Sequence, residues 1–495
     1  MKYTKYLAVL SAALMMGSCS SDFLDKEPSE SASQEQIEDL LSKDPTAVQA
    51  FITGYYKNTF APEAMSAHDD FGLKAFELAT DMMGDDMAYM TSHFFVFDYL
   101  LDNRGASYRR PSTCWQEFYA IINGANEVIR RVGSQADSGN KTLEKMLGQS
   151  YAIRAYCYFW LINLYQQPYE WSKDKPGIPV YTESETKLNR VPVKEVYDLI
   201  LKDLEKAYGF LKGKGAPAKN RSELNEFAVA AIYANVLSFV NDYPNQWEEV
   251  AKYAKAAIEG GKLMSEEELL SGFNDINLSE VLWGADITSE SNTFYASFMS
   301  NMDPYGPGYG GKLGNYKMIA SDLYDKIADN DIRKQWFGAE LGEKDPLYNY
   351  RQYVQVKFLD IATLGKGDTF ASDYIFLRTG EMYFVAAEAL YRAGKEAEAK
   401  SMLTTIMETR IPEYKTTATG EALLNEIMLQ KRIEMWGEGR RLFDMKRRHE
   451  DLDRSHAINH AGASPMHVPA GDKLFIYQIP QQELNANSEI TEQND

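Results

Sequence analysis

The segment Asp303-Pro-Tyr-Gly-Pro-Gly-Tyr-Gly-Gly311 sets two tyrosines, Tyr305 and Tyr309, in a frame of glycine and proline. That density of helix and strand breakers predicts a loop, and a loop tyrosine can offer its flat face to a ligand. Tyr295 and Phe298 precede the pair in the same stretch, 283–316. A second stretch, 60–112, carries Tyr89, His93, Arg104 and Tyr108, which combine ring faces with planar hydrogen-bonding groups. This is the chemistry of binding rather than of bond making. The bland alternative for each residue is packing on its own scaffold, and 60–112 has room for a buried helix. Both stretches exceed the length of ordinary connections, which is where binding loops are found.

Other constellations point elsewhere. Asp81, Asp85 and Asp86 are of a type that suits calcium, but the glycine and distal glutamate of an EF-hand loop are missing. They read as a solvated or helix-capping cluster. His456 and His460 have the spacing of helical zinc ligands, yet Gly462 and Pro465 follow and no acidic third ligand is placed, so the segment is a loop. Arg440-Arg441 and Lys446-Arg447-Arg448 alternate with Glu434, Glu438, Asp444, Glu450 and Asp451, the pattern of an ion-pair network on one helix. There is no Gly-x-Ser-x-Gly elbow, Walker loop or His-Glu-x-x-His helix. A glycoside hydrolase needs only two carboxylates across a bond, and 72 acidic residues do not single out such a pair. The reading is a non-enzyme without metal or other cofactor.

The elements that must position the loops are helical. Apolar residues recur at spacings of three and four in Val48–Tyr55, Trp115–Ile129, Leu143–Tyr165, Val193–Phe210, Glu223–Val240 and Trp247–Glu259. Glu381–Ala393 and Glu396–Met407 follow, separated by Gly394 and Lys395, and one helix from Leu423 to about Arg447 closes the series. Alanines at 386, 387, 389, 393, 397 and 399 let paired helices approach closely, as in tetratricopeptide packing. Trp115, Trp160, Trp283 and Trp436 read as core. Cys114 and Cys157 lie in apolar helical patterns as small hydrophobes, with a bond between them left open. Leu474–Tyr477, before Pro480, reads as an edge strand or extended segment.

The 495 residues hold 72 Asp and Glu against 52 Lys and Arg, a net charge of −20, with 44% hydrophobic and 25% charged residues. The balance is that of a folded body, and the charge argues against nucleic-acid or anionic-lipid binding. Lys2 and Lys5 precede the uncharged run Leu7–Met16, too short to span a bilayer and right for a secretory leader. Met16-Gly-Ser-Cys19 resembles a bacterial lipobox, with Cys19 as the lipidated residue. Residues 1–18 are then a signal peptide, 19–34 a Ser/Asp/Glu-rich lipidated tether and 35–495 a single body.

Several blocks in order resemble the SusD/RagB family of surface lipoproteins. They begin at Cys19–Asp25 with Glu27-Pro28, and continue through Trp115, Tyr119, Ile122 and Asn126, then Arg154-Ala-Tyr156 with Gly177-Ile-Pro179. Arg190–Val193, Val196-Tyr-Asp198, Asp203-Leu204, Leu377-Arg378, Ala386–Ala389, Arg432–Glu434 and Gly437–Asp444 complete the run. The resemblance implies a mainly α fold, with tetratricopeptide-like hairpins on one side and an irregular, loop-rich ligand-binding part. It implies surface binding of oligosaccharide or polysaccharide, or of peptide in some branches. It also implies delivery to a SusC-like TonB-dependent β-barrel transporter, from a lipid anchor in the outer membrane. The family supplies no invariant ligand motif, so Tyr305, Tyr309, Tyr295, Phe298, Tyr89, His93, Arg104 and Tyr108 stand as candidates on type alone: sugars need aromatic faces and planar polar groups.

Overall fold

Residues 43–62, 67–136, 138–214, 221–345, 347–362, 364–366 and 369–494 are described by the structure, a computed structural model. The leader, Cys19 and the tether lie outside the described residues. The described residues up to Val48 include the 3-10 turn Pro45–Val48, opened by Asp44, whose carboxylate accepts from the Thr46 N–H at 2.9 Å. The remainder, from Gln49, forms one unit.

The scaffold follows the apolar periodicity. Helix α1 (Gln49–Asn58) is followed by α2 (Leu73–Met82), strand β1 (Met87–Ala88) and the short α3 (Val96–Tyr99). The long helices α4 (Arg109–Val132) and α5 (Lys141–Tyr165) come next, then the hairpin β2 (Val180–Tyr181) and β3 (Thr186–Lys187), and α6 (Val193–Leu211). Helix α5 starts where Asn140 accepts from the N–H groups of Thr142 and Leu143 at 3.0 and 3.4 Å. It is buried almost all round because α4 and α6 pack on it from two sides. Helices α7 (Glu226–Leu237) and α8 (Gln246–Ile258) form the next pair. Strand β4 (Val281–Ala285), helix α9 (Phe298–Met302) and strand β5 (Met318–Ile319) run through the loop-rich part. Strand β6 (Tyr374–Arg378) leads into α10 (Thr379–Arg392), which packs on α8, α11 (Glu396–Met407) and α12 (Glu421–Glu434). Cys114 and Cys157 are unpaired and buried.

Four expectations need correction. The stretch 60–112 is not only loop: α2 is a helix with every residue buried. The stretch 283–316 opens with β4, antiparallel to β6, and contains α9. The helix expected over 423–447 is two, α12 and α13 (Arg441–Arg448), broken at Gly437 and Gly439, both left-handed at φ 79° and 76°. A Cβ on Gly439 would stand 2.5–2.7 Å from Glu77, so α2 and the break can pack only with glycine there. Finally, Lys473–Phe475 is a 3-10 turn, not a strand.

The charges near α12 and α13 do pair, along α13 where Arg447 donates to Asp444 at 3.0 Å, but mostly across elements. Arg378 donates to Glu280 and Glu434 at 2.8 Å and to Glu438 at 2.7 Å, and Arg410 donates to Glu280 and Glu434 at 2.7 and 2.8 Å. The side chains of Arg378, Arg410, Glu280 and Glu434 have no exposed surface. Asp85 and Asp86 pair with Arg432 and Arg441, and Asp81 accepts from the Gly439 N–H at 2.8 Å. The acidic cluster is thus not solvated: Asp85 and Asp86 are held in ion pairs and Asp81 by the backbone N–H groups of Gly439 and Arg441. His460 is buried against the Tyr99 hydroxyl at 2.7 Å, while His456 faces solvent.

Candidate functional site

Two strand pairings bring distant loops together. Antiparallel β1–β5 (Met87↔Ile319, Ala88↔Met318) sets the chain leaving β1 at Tyr89 beside the chain that reaches β5 through Tyr309. The β4–β6 pairing (Ala285↔Tyr374) sets 286–298 beside 370–374. The Asp373 carboxylate reinforces it by accepting from the Ile287 N–H at 2.8 Å, and the Phe298 N–H donates to the Tyr374 hydroxyl at 3.1 Å.

At their junction an aromatic patch forms around Tyr309. Its ring centroid lies 4.4 Å from His93, 5.5 Å from Phe94, 5.8 Å from His68 and 5.9 Å from Tyr295. The Tyr309 hydroxyl is 2.5 Å from His68 Nδ1. Tyr295 stacks on His68 with 13° between planes, and Phe294 meets Tyr295 edge-on at 4.8 Å. Phe370 lies beneath both, at 5.4 and 6.2 Å. Phe294 and Tyr295 are 46% and 38% exposed, whereas Tyr309 is 8% exposed and Phe370 fully buried. The arrangement is therefore an open face of two rings and an imidazole, backed by a buried tyrosine.

Backbone strain concentrates at the same place. Phe94, Phe294 and Phe370 have φ of 22°, 50° and 51°, in the left-handed region a bulky side chain rarely adopts. Each such residue costs about 1–3 kcal/mol and persists only where its surroundings hold it. Here three are held in one patch.

The electrostatics beneath the patch are uneven. Lys317 is buried, with Nζ donating to the carbonyls of Asn301 and Asn315 at 3.1 and 2.9 Å and lying 4.8 Å over the Tyr89 ring. Burial pushes its ammonium down to about 7. The Tyr89 hydroxyl donates to the His93 carbonyl at 3.1 Å. His93 is held below the ordinary imidazole value by burial and then by Lys317, and the Tyr309 hydroxyl is raised by burial, Tyr295 and Asp69. Asp69, next to His68, accepts from Arg109 at 2.5 and 2.6 Å and from Arg110 at 2.7 Å.

Of the residues picked from sequence, Tyr295, Tyr309 and His93 meet in this patch. Tyr305 and Tyr108 are exposed at 41% and 48% and make none of its ring contacts. The Tyr305 hydroxyl accepts from the Glu340 N–H at 3.1 Å. Phe298 and Tyr89 are core residues, each 1% exposed; Phe298 is wedged between Phe358 and Tyr374, with Lys74 over its ring. Arg104 is buried over the Tyr477 ring and bound to Asp98 at 3.3 Å. These three reach no ligand-accessible face and leave the candidate set. His68, Phe94, Phe294 and Phe370 were not picked; Phe294 adjoins a picked residue, while nothing in sequence ties Phe370 to the two loops.

A helical scaffold presents this strained aromatic patch on loops, and the comparisons with known proteins give the chain a family. A family described as "SusD family" matches residues 294–495, and one described as "Starch-binding associating with outer membrane" matches 22–237. A SusD-like protein of Formosa agariphila is 22% identical over 393 residues, covering 70% of this chain and 74% of its own. Another from the same organism is 23% identical over 427 residues, covering 77% and 80%. Among solved structures, a SusD superfamily protein from Bacteroides thetaiotaomicron matches with a TM-score of 0.77 at 21% identity, over 91% of this chain and 99% of that one. A SusD-like carbohydrate-binding protein from Bacteroides vulgatus matches with a TM-score of 0.75 at 21% identity, over 90% and 97%. The chain belongs to the SusD/RagB family. Among the described residues no helix is long and apolar enough to cross a membrane.

Proposed function

We propose that this protein captures oligosaccharide or polysaccharide at the cell surface and hands it to a SusC-like TonB-dependent outer-membrane transporter, without cleaving it. The observation that carries the reading is the patch itself: Phe294 and Tyr295 exposed side by side, with His68 stacked on Tyr295 and Tyr309 behind. Ring faces suit the C–H side of a pyranose, and imidazole and phenol edges suit its hydroxyls. The family description and the carbohydrate-binding relative support the same ligand class.

Residues 19–34 would tether the body through diacylated Cys19, because stable anchoring takes more than one chain. Replacing Cys19 with serine in the full-length chain should move the protein from the membrane fraction to the soluble one.

The test of the ligand class is a binding screen of the chain lacking residues 1–19, against plant, microbial and host glycans and a peptide pool. Retention by a glycan, lost in the Phe294→Ala/Tyr295→Ala variant, is the expected result. Titration by peptides with silence toward every glycan would replace the reading with peptide capture. A transporter partner predicts that the full-length protein and a co-expressed β-barrel co-purify from membranes.

A further inference from the structure

A second cleft, of about 450 Å³, lies along α4 and shares no residue with the aromatic patch. One wall is a face of α4 on which Gln116, Tyr119 and Asn123 follow at spacings of three and four; the opposite wall is the β2–β3 hairpin with Tyr181, Thr182 and Thr186. Tyr119 and Tyr181 stand at 88° with centroids 5.4 Å apart, both half-buried, so their rings form a corner. The Tyr119 ring is pinned by its hydroxyl, which donates to the Pro179 carbonyl at 2.8 Å, and the Tyr181 backbone is held by Asn126, which donates to its carbonyl at 3.1 Å. The amides of Gln116 and Asn123 project on either side of Tyr119, within about 6 Å along the helix. Both are exposed.

The charged residues of the cleft are answered from within. Glu127 accepts from Arg130 at 2.8 Å and Arg131 at 3.1 Å, Glu183 from Arg154 at 2.6 Å, and Glu483 from the Trp115 indole at 3.2 Å. What remains on offer is the corner of two rings, flanked by the Asn123 amide, the Gln116 amide oxygen and the hydroxyls of Tyr181 and Thr186. That set suits a neutral, hydroxyl-rich ligand and gives nothing in particular to an anion.

Helix α4 also links the two places. Its first residue, Arg109, holds Asp69 next to His68, and Gln116 and Asn123 lie about 10 and 21 Å further along the axis. We infer that this cleft is a second saccharide-binding surface, and that a long neutral chain engages it together with the aromatic patch. The inference rests on the glycan-binding reading. Two weak contacts on one polymer raise its retention well beyond that of either alone, and a short oligosaccharide gains nothing from the second.

The experiment compares wild type, a cleft variant (Gln116→Ala/Asn123→Ala), a patch variant (Phe294→Ala/Tyr295→Ala) and the combination of the four substitutions. Affinity electrophoresis in soluble starch, or in whichever polysaccharide of the screen retards the wild type, reads polymer binding. Calorimetry with maltoheptaose, or the matching heptasaccharide, reads short-chain binding. Thermal melting shows that each variant is folded. The cleft variant should weaken polymer retention about five-fold or more and leave the heptasaccharide affinity unchanged. The patch variant should lose the heptasaccharide yet keep residual polymer retention that the combination removes. Wild-type retention in the cleft variant, with none left in the patch variant, overturns the second surface alone. A wild type silent toward every glycan overturns the ligand class and this inference together.

Discussion

His68 Nδ1 and the Tyr309 hydroxyl meet at 2.5 Å across 241 residues of chain, and that contact ties the 60–112 segment to the 283–316 loop. Tyr309 is buried, so the bond holds the backing ring rather than touching ligand. His68 also stacks on Tyr295. Replacing His68 with alanine should therefore remove a face of the platform and free Tyr295 together, lowering glycan affinity at least tenfold. Tyr309→Phe keeps the ring and loses only the hydrogen bond, so its loss should be smaller, about threefold to tenfold. Calorimetry on the two variants checks the order; equal losses would mean the bond and not the platform matters.

The exposed pair sets the energy of the site. Truncating Tyr295 or Phe294 to alanine should each cost about 1–2 kcal/mol of binding, the range of a partly buried aromatic anchor. Neither should lower the melting temperature appreciably, because both rings are more than a third exposed. A large thermal destabilisation would recast them as structural.

The helical scaffold was legible because its signal is local. Glu396–Met407 matches the expected helix end for end, α5 and α6 differ from expectation by two residues or fewer, and α4 starts six residues earlier and ends three later than expected. Asn140 and Gly394 mark boundaries by their chemistry, as a side-chain cap and a left-handed turn. The site was legible only in part. Tyr295, Tyr309 and His93 lie in breaker-rich or long segments that advertise loops. Whether a loop residue faces solvent depends on pairings such as Met87↔Ile319, which two-residue strands cannot announce. That is why Phe298 and Tyr89, chosen by type, turn out to be core. It is also why Phe370, brought under the patch by the β4–β6 register, had no local mark.

The buried ion pairs make a sharp stability prediction. Glu434 accepts from Arg378, Arg410 and Arg333 with no exposed surface, so Glu434→Ala leaves three guanidiniums short of a partner. Loss of one member of such a cluster costs about 3–5 kcal/mol. Urea unfolding should show that loss without a change in slope. The same cluster sets an acid limit. Burial alone would raise the carboxyl of Glu438, but Arg378 and Lys357 prevail and bring it to about 2, below its ordinary 4.5. A carboxylate depressed on folding stabilises above its unfolded value, and this is lost as pH falls from about 4.5 toward 2. Cooperative unfolding in that window is expected, and Glu438→Gln should flatten the wild-type slope there.

Gly439 is a position where a single methyl group decides packing. Its φ of 76° and the 2.5–2.7 Å approach of a Cβ to Glu77 mean that Gly439→Ala is both strained and crowded. A loss of about 2 kcal/mol or more is expected, whereas an alanine at Gly54, inside α1 with open space around it, should gain about 0.5–1 kcal/mol. Comparable melting points for the two variants would contradict the packing argument.

Lys317 carries the pH dependence that bears on the site. Its ammonium titrates near 7 in the fold against 10.5 when free, because burial penalises the charge and its hydrogen-bond partners are backbone carbonyls. Between those values the unfolded chain holds a proton that the folded chain has released, so stability rises with pH from about 7 to 10.5. The penalty is present in full below pH 7 and is on the order of 5 kcal/mol by the displacement of the titration. Urea midpoints at pH 7, 8, 9 and 10 should climb for the wild type relative to Lys317→Met, in which this proton is absent; parallel curves would sink the assignment. The variant has a second consequence within the patch. Lys317 helps hold the His93 imidazole below its ordinary value, after burial, so His93 should titrate higher in Lys317→Met. A titration midpoint of the His93 ring resonances at higher pH in the variant, with that of His456 unmoved, would tie the buried lysine to the patch above it.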